Sequence, residues 1–455
     1  MAGTKIMIQV QSSGTLIGDH SIWLGERFLK QHKIQAHSSI LLRFGSYRSY
    51  VTVIPVQHLE GMRMSESLAQ KLGLHHNSHV GFSYKAGGRT LALGPLIGVM
   101  MTQVYSASDK PFGTNTTFCK ELVDSCKALG GFVFFFTTGG IPANNQHLEG
   151  WSYSGRWHKT TFPIPDVVYN RLTTRKLENK PSVQHFMREV KQRYGTEVFN
   201  EKYLNKTEVF DALRGDPSLG KYLPESHLFK NFAMLKTMSA KYPIVFLKPI
   251  TGSLGKGIIR ITRLNGQSIT CHFTNLTGTT RQSYPSLAAA FSAMASKLKQ
   301  RSYQIQQGLQ LIEISGRPVD FRALVQRGQA GEWVVTSTVA RIAGSNHFVS
   351  NLARGGTLSK VREALAKTNL SAAMQKSVSA NLRKAALDIA GGIEKQVKGH
   401  FGELGVDLAV DSNGKVWLLE VNSKPSKNDG TPLADGSIRP SVKMTIQYAR
   451  YLSGF

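Results

Sequence analysis

The chain has 455 residues, 41% of them hydrophobic, which is enough for a large core and for two or three domains. Its formal net charge of +27 favours anionic partners such as nucleotides, acidic polymers, nucleic acid or an anionic surface. No apolar run approaches the roughly 20 residues needed to cross a bilayer, and no signal peptide is evident, so a cytoplasmic protein without a membrane span is predicted. The chain contains three cysteines, too few and too scattered for a disulfide framework, so free core thiols are predicted.

The first 100 residues predict a small β-rich domain. Short alternating apolar runs at 40–44, 50–56 and 79–84 are separated by turn residues, with a short helix over 65–72. Three histidines, His75, His76 and His79, follow this helix closely enough to suggest a metal site. Because no fourth ligand lies nearby in sequence, a plain surface loop is the favoured interpretation.

Residues 101–198 predict an α/β domain. Strands at 96–101, 132–136 and 167–169 and a helix at 115–129 give the pattern of an α/β unit. Asp166, Asn170 and Arg171 flank the last of these strands, where polar residues either form a site or simply end the strand. The charged segments 156–206 and 360–398 are interpreted as solvated helix faces.

A glycine loop follows the apolar run 243–247 and precedes a second apolar run at 258–261. The first run ends in Lys248, and the loop contains Gly252, Ser253, Gly255 and Gly257. Glycine-rich backbone can bring N–H groups close to phosphate oxygens, and the lysine adds a positive charge. The spacing is not that of a Walker A loop, and no helix pattern follows. A phosphate-binding hairpin and an ordinary glycine hairpin are both consistent with these residues alone.

A second set of polar residues lies on two predicted strands near the C-terminus. Asp407 belongs to the first strand, and Glu420 and Asn422 to the second, with a turn at Asn413 and Gly414 between them. Since Glu420 and Asn422 are two residues apart, they share one face of their strand. Carboxylate and amide oxygens suit Mg²⁺. The sequence therefore predicts a metal site here, and solvated residues on an exposed sheet face are the alternative.

The loop, the metal residues and the segment between them resemble the ATP-grasp superfamily, and the order of the motifs is more specific than any one of them. The resemblance covers about residues 199–428 and departs at Gln307, where many relatives carry Glu. By this resemblance, Lys206 is the first ATP lysine, with Lys202 as a competitor. The remaining matched elements are the adenine hinge with Gln306 and Gln307, the Asp320–Arg322 element, Arg341 at the next strand end, and the turn at 351–356.

Three upstream segments, 93–99, 162–171 and 223–226, resemble the YheC/YheD-like ATP-grasp proteins, which are endospore coat-associated. The fold class implied is a multidomain α/β and α+β protein. Its ATP-grasp fold over 199–455 would follow the small β-rich domain at 1–100 and an α/β pre-ATP-grasp domain at 101–198. A cytoplasmic protein associated with the endospore coat is expected.

The resemblance implies a carboxylate–amine ligase that uses ATP and Mg²⁺ (or Mn²⁺) and acts through an acylphosphate. Lys206 and Lys248 would contact phosphates, and Arg322 and Arg341 would stabilise the transferred phosphoryl group. Asp320 would contact ribose or orient Arg322. The carboxylate and amine substrates are not specified.

Two residues and two other functions stay open at this point. Lys424 and Lys427, just past the metal strand, either hold an acidic substrate or lie in a solvated loop. The alternatives to a ligase are a kinase-like ATP-dependent enzyme and a basic structural spore protein that binds polyanions nonspecifically.

Overall fold

The computed structural model contains a closed β-barrel, three further sheets and flanking helices. The residues that it describes are 5–11, 18–106, 108–250, 257–264, 268–274, 278–344, 355–427 and 437–455.

The N-terminal strands close into a barrel in the order β1-β5-β2-β4-β3-β7-β6, with β1 pairing β6 to complete the ring. Alternating side chains fill its interior, as the sequence predicted, but closure depends on long-range pairs such as parallel β1–β5. Ser65 begins the helix α2 by accepting a hydrogen bond from the Leu68 amide at 3.0 Å. The elements are β1 Lys5–Gln11, β2 Ser21–Gly25, α1 Glu26–His32, β3 Ser39–Phe44, β4 Tyr47–Val56, β5 Met62–Ser65, α2 Glu66–Leu72, β6 Ser78–Lys85 and β7 Thr90–Gly94.

The second sheet has the order β11-β10-β9-β8-β12-β13, and its central strands are parallel. One face shares a continuous apolar core with the barrel and α5, and the other packs on α3 and the C-terminal helix α11 (Pro440–Ser453). The predicted strands and helix of this region are confirmed, whereas the domain limits at 100 and 198 stay a prediction. The elements are β8 Leu96–Met101, α3 Thr116–Leu129, β9 Phe132–Thr137, β10 His147–Tyr153, β11 Trp157–Pro163, β12 Val167–Asn170, α4 Arg175–Glu178, α5 Pro181–Tyr194 and β13 Glu197–Phe199.

The third sheet is antiparallel, in the order β14-β19-β15-β16-β17-β18. One face is apolar and packs on α7 and α8, and the opposite face carries polar side chains. The elements of this region are α6 Lys206–Arg214, β14 Ser226–Leu228, α7 Phe232–Lys241, β15 Ile244–Pro249, β16 Ile259–Arg263, β17 Ile269–Thr274, β18 Thr279–Tyr284, α8 Leu287–Gln300 and β19 Tyr303–Gln307.

The fourth sheet is also antiparallel, in the order β23-β22-β21-β24-β25, with β20 pairing β21 beside this path. The long helix α10 packs on one face and builds an apolar core with α6 and strands β21, β22 and β24. The other face carries the charged residues of the candidate site. The elements are β20 Glu313–Ile314, β21 Arg317–Arg327, β22 Trp333–Ile342, β23 Thr357–Lys360, α9 Val361–Leu365, α10 Ala372–Gln396, β24 Glu403–Val410 and β25 Val416–Asn422.

Candidate nucleotide and metal site

The first lysine of the site lies at the start of α6. The Asn205 side chain accepts a hydrogen bond from the Thr207 amide at 2.9 Å and so caps the helix, which fixes where Lys206 leaves the backbone. The Lys206 ammonium lies 3.5 Å from a carboxylate oxygen of Glu420 on β25. The competing Lys202 instead pairs with Glu208 at 2.6 Å. Of the two lysines, Lys206 is therefore the one that reaches the predicted metal strand.

Lys248 lies at the end of β15, as the sequence predicted, and its ammonium donates a hydrogen bond to the Gln306 side chain on β19. Burial, followed by repulsion from the Lys206 ammonium, lowers the pKa of Lys248 to about 8, and the Glu420 carboxylate opposes this shift. Lys206, Lys248, Gln306 and Glu420 thus form one cluster drawn from four different elements. Two close cations and a buried amide favour a polyanionic ligand.

The two hinge glutamines have different environments. Gln307 pairs its backbone with Glu225, and its side chain accepts a hydrogen bond from the Glu225 amide at 2.6 Å. It therefore braces the chain where β14 begins. Gln306 is 2% exposed, and its side-chain nitrogen has no hydrogen-bond partner among the described residues. An unsatisfied buried amide beside Lys248 is suited to a ligand acceptor.

The glycine loop is described at one end. Gly252, Ser253 and Gly255 lie outside the described residues. Gly257 has a φ of +77° and donates its N–H to the Thr274 carbonyl at 3.1 Å. Because a φ in this region is strained for other residues, glycine is required where the loop enters β16. Of the predicted turn at 351–356, only residues 355 and 356 belong to the described part of the chain.

Two arginines and two aspartates form a balanced cluster on the polar face of the fourth sheet. Arg322 binds both oxygens of Asp407, with Nη2 2.8 Å from Oδ2, and Arg341 Nη2 lies 3.2 Å from the same Oδ2. Burial alone would raise the pKa of Asp407, but the two guanidinium groups outweigh it and the pKa is lowered. Asp320 accepts a hydrogen bond from Arg341 Nε at 2.5 Å, so it orients Arg341 directly.

The predicted metal residues lie side by side. Asp407 pairs with Glu420 across β24 and β25, and Asn422 follows two residues later on the same face, opposite Gly405. Two carboxylates and an amide oxygen fit a hard divalent cation such as Mg²⁺. Oδ2 of Asp407 already faces both arginines, but Oδ1 accepts from Arg322 alone and keeps a lone pair that can face a cation. Among the described residues, no group of three His, Cys, Asp or Glu side chains is arranged to hold a metal.

A buried ionic network below the metal strand was not predicted. Lys424 binds Glu178 of α4, and both side chains are at most 3% exposed. Lys427 binds Glu403 of β24, which also pairs with Arg171 at 3.2 Å. The solvated-loop alternative for the two lysines is wrong, because both side chains are buried and paired with the carboxylates of Glu178 and Glu403.

The same network explains the polar residues after β12. Asn170 donates to a Glu178 oxygen at 3.0 Å, and its own side-chain oxygen accepts from the Leu172 amide at 3.1 Å. Burial would raise the pKa of Glu403, but Lys427 and Arg171 outweigh it and lower that pKa. Arg171 thus ties the end of β12 directly to Glu403 of the fourth sheet, and Asn170 braces Glu178, the partner of Lys424. The only hint of this network in the sequence was the pair of lysines, Lys424 and Lys427, within five residues of the end of the metal strand.

The histidine segment and the cysteines give simpler results. His75 is partly buried and contacts Ser152 at 2.7 Å and the His158 ring at 4.9 Å, so it is not a plain surface loop residue. The segment borders a cavity of about 320 Å³ between the barrel and the second sheet. All three cysteines are buried free thiols, as predicted.

Within the described parts of the chain, no helix combines the length and apolar character needed to cross a membrane.

Lys248 of the third sheet and Lys206 of α6 converge on Glu420 of the fourth sheet. This arrangement of two antiparallel sheets defines an ATP-grasp fold, here preceded by a β-barrel and an α/β sheet. A family model described as YheC/D like ATP-grasp matches residues 195–452, and the chain belongs to this family. The predicted fold class and family are confirmed.

The chain is similar to two endospore coat-associated proteins and to solved structures of ligases. The endospore coat-associated protein YheD of Bacillus subtilis (strain 168) is 32% identical over 401 residues, which cover 87% of this chain and 87% of that protein. The endospore coat-associated protein YheC of the same organism is 24% identical over 317 residues, covering 68% and 85%. D-cycloserine synthetase DcsG aligns with a TM-score of 0.46 and 13% identity over 78% of this chain and 99% of its own.

Proposed function

We propose that the protein is a Mg-ATP-dependent ligase that joins a carboxylate to an amine, in association with the endospore coat. The observation that carries the proposal is the convergence of Lys206 and Lys248 with Glu420, which is 3.5 Å from Lys206 and acts electrostatically on Lys248. Membership of the ATP-grasp family and the names of the two curated relatives support the cofactor and the location.

The chemistry assigned to the site is phosphoryl transfer followed by acyl transfer. A substrate carboxylate oxygen attacks the γ-phosphorus of ATP, the bond to the β–γ bridging oxygen breaks, and ADP leaves. The amine then attacks the acyl carbon, phosphate leaves with the bonding electrons, and the amine loses a proton. Phosphoryl transfer depends mainly on positioning and charge neutralisation, so an array of fixed charges is the catalyst required.

Each part of the site has a role in this sequence. Lys206 and Lys248 bind phosphate oxygens, and Gln306 holds Lys248 in place and offers its amide to the nucleotide. Arg322 and Arg341, oriented by the aspartates described above, stabilise the phosphoryl group in transfer. By the family resemblance, the glycine loop that ends at Gly257 would cover the phosphates and exclude water that would hydrolyse the acylphosphate.

Asp407, Glu420 and Asn422 are the residues that would hold Mg²⁺. The cation would neutralise charge on the phosphates. The carboxylates keep their place through the ladder between β24 and β25 and through the arginine contacts of Asp407.

The experiment is a screen of Mg-ATP-dependent phosphate release over pairs of carboxylates and amines, followed by trapping with hydroxylamine. A ligase converts the correct acid to a hydroxamate, because hydroxylamine replaces the amine in the second step. Phosphate transfer to an acceptor that gives a stable phosphorylated product and never a hydroxamate would refute the ligase and establish the kinase-like alternative. Absence of Mg-ATP binding would refute both enzymatic functions and favour the alternative of a basic structural protein.

A further inference from the structure

The polar face of the third sheet extends well beyond the nucleotide cluster. Strands β16, β17 and β18 turn their apolar residues, such as Ile259 and Cys271, towards helices α7 and α8. The residues between them are basic or hydroxylic and lie on the opposite face. We name the set of these residues the basic strip: Arg260, Thr262, Thr270, His272, Arg281 and Ser283.

The register of the sheet places the strip in two rows. Arg260 lies opposite His272, which lies opposite Arg281, and the second row runs from Thr262 through Thr270 to Ser283. Neighbouring strands are about 4.8 Å apart, so the first row spans roughly 10 Å. Burial, followed by the two guanidinium groups, lowers the pKa of His272, which places the imidazole within electrostatic reach of both arginines.

The strip is continuous with the nucleotide cluster. On β15, Phe246 lies opposite Gln306 on one side and opposite Arg260 on the other. Lys248 shares this face, two residues further along β15, and its ammonium lies 5.5 Å from the Phe246 ring centre. The basic strip therefore leads from the proposed phosphate site to the edge of the sheet.

The strip contains donors whose partners are missing. Thr270 is 2% exposed, and neither its hydroxyl nor the Arg260 Nε has a hydrogen-bond partner among the described residues. Unsatisfied buried donors are rare and destabilising in folded proteins, so such groups call for an explanation. Glu313 of β20, a strand that pairs with β21 of the fourth sheet, acts electrostatically on Arg260. A ligand that lies on this face of the third sheet and accepts hydrogen bonds accounts for these donors.

We infer that the basic strip binds an extended acidic polypeptide. A side-chain carboxylate of the bound polypeptide would then be the substrate delivered to ATP. This inference rests on the proposed function and names its substrate class. Guanidinium groups bind carboxylates in a bidentate manner, and threonine and serine hydroxyls donate further hydrogen bonds. Carboxylates on one face of an extended chain recur about every 6.6 Å. A row of basic side chains roughly 10 Å long can therefore contact two successive carboxylates.

A polypeptide is favoured over single-stranded nucleic acid by the composition of the strip. Nonspecific binding of single strands uses aromatic platforms on which successive bases stack. The strip has no phenylalanine, tyrosine or tryptophan, and Phe246 lies only at its inner end. The net charge of +27 supports recruitment of either polymer, so it does not decide between them.

The test uses a fluorescently labelled oligo-L-glutamate of about 12 residues and the full-length protein, with affinity measured by fluorescence anisotropy between about 50 and 200 mM salt. The variant is Arg260→Gln/Arg281→Gln. The control is Lys236→Gln/Lys376→Gln, which removes the same charge from exposed helix positions away from the strip. The strip variant is expected to lose at least tenfold in affinity, and the control less than twofold.

Equal losses in the two variants would overturn the inference, because they would show that only net charge matters. Oligothymidylate of the same length is expected to compete poorly, and equal competition would also overturn it. If the double variant does not fold, Arg281→Gln alone, on the exposed edge strand, repeats the comparison against Lys236→Gln.

Mg-ATP binding is measured on the same samples by thermal shift. If the wild-type protein binds Mg-ATP but not oligoglutamate, the inference about the basic strip is refuted and the proposed function stands. A protein that binds oligoglutamate without any Mg-ATP stabilisation refutes the proposed function, and with it the role of the peptide as substrate.

Discussion

The protonation of Lys248 should control nucleotide affinity at mildly alkaline pH. Its pKa is lowered to about 8 by burial and by the Lys206 ammonium, so a large share of the protein lacks this charge above that pH. A phosphate ligand requires the ammonium form, because the neutral amine neither attracts the anion nor donates as strongly. We therefore expect Mg-ATP to bind progressively more weakly as the pH rises through 8.

The magnitude follows from the titration of a single group. If only the ammonium form binds, the apparent Kd rises by a factor of about 1.1 at pH 7, about 2 at pH 8 and about 11 at pH 9. The change between pH 7 and 9 is therefore about tenfold, or about 1.4 kcal/mol. The nucleotide-free protein should respond in the opposite sense. The Lys248 pKa lies below the ordinary lysine value of 10.5. The folded state therefore binds fewer protons than the unfolded state between about pH 8 and 10.5, and stability rises with pH there.

The assay is titration calorimetry of Mg-ATP at pH 7, 8 and 9, with folding verified by melting curves. Lys248→Arg keeps its charge at all three values and is expected to bind with little pH dependence. Lys248→Met should bind weakly at every pH. A wild-type affinity that is flat from pH 7 to 9, or a Lys248→Arg protein that shows the same tenfold loss, would refute the reasoning.

The remaining predictions concern the two carboxylate clusters. Glu420→Gln keeps the side-chain size and should leave the melting midpoint within a few degrees of wild type while abolishing Mg²⁺-dependent phosphate release; turnover equal to wild type would remove Glu420 from the mechanism. Glu403→Gln leaves the charges of Lys427 and Arg171 buried without their shared carboxylate, and should cost about 3–5 kcal/mol of unfolding free energy in urea. Glu208→Gln, which breaks a partly exposed pair, is the control and should cost less than about 1 kcal/mol. Similar losses in the two variants would contradict the structural role given to Glu403.

Much of the local structure could be predicted from the sequence because short-range patterns control it. Alternation placed β15 up to Lys248 and β24 and β25 around their turn, and the Asn205 cap placed α6. Period-two spacing put Glu420 and Asn422 on one face. These are relations between residues close together in the chain, and the ordered motifs then indicated the family.

Long-range pairings could not be predicted. Barrel closure depends on strands paired across the whole N-terminal region, and the basic strip depends on the register of three strands. The sequence alone left open whether Lys202 or Lys206 reaches the site, since the two lysines lie close together just before and at the start of α6.

The sequence by itself therefore determined the family, the elements and the residue types of the site. The tertiary structure decided which charges meet. Lys424 and Lys427 looked like solvated or substrate-binding lysines, but both are buried, and α4 provides Glu178 while β24 provides Glu403. Burial makes an unpaired charge costly, so each buried lysine needs a carboxylate, and only the folded chain shows which distant residue supplies it.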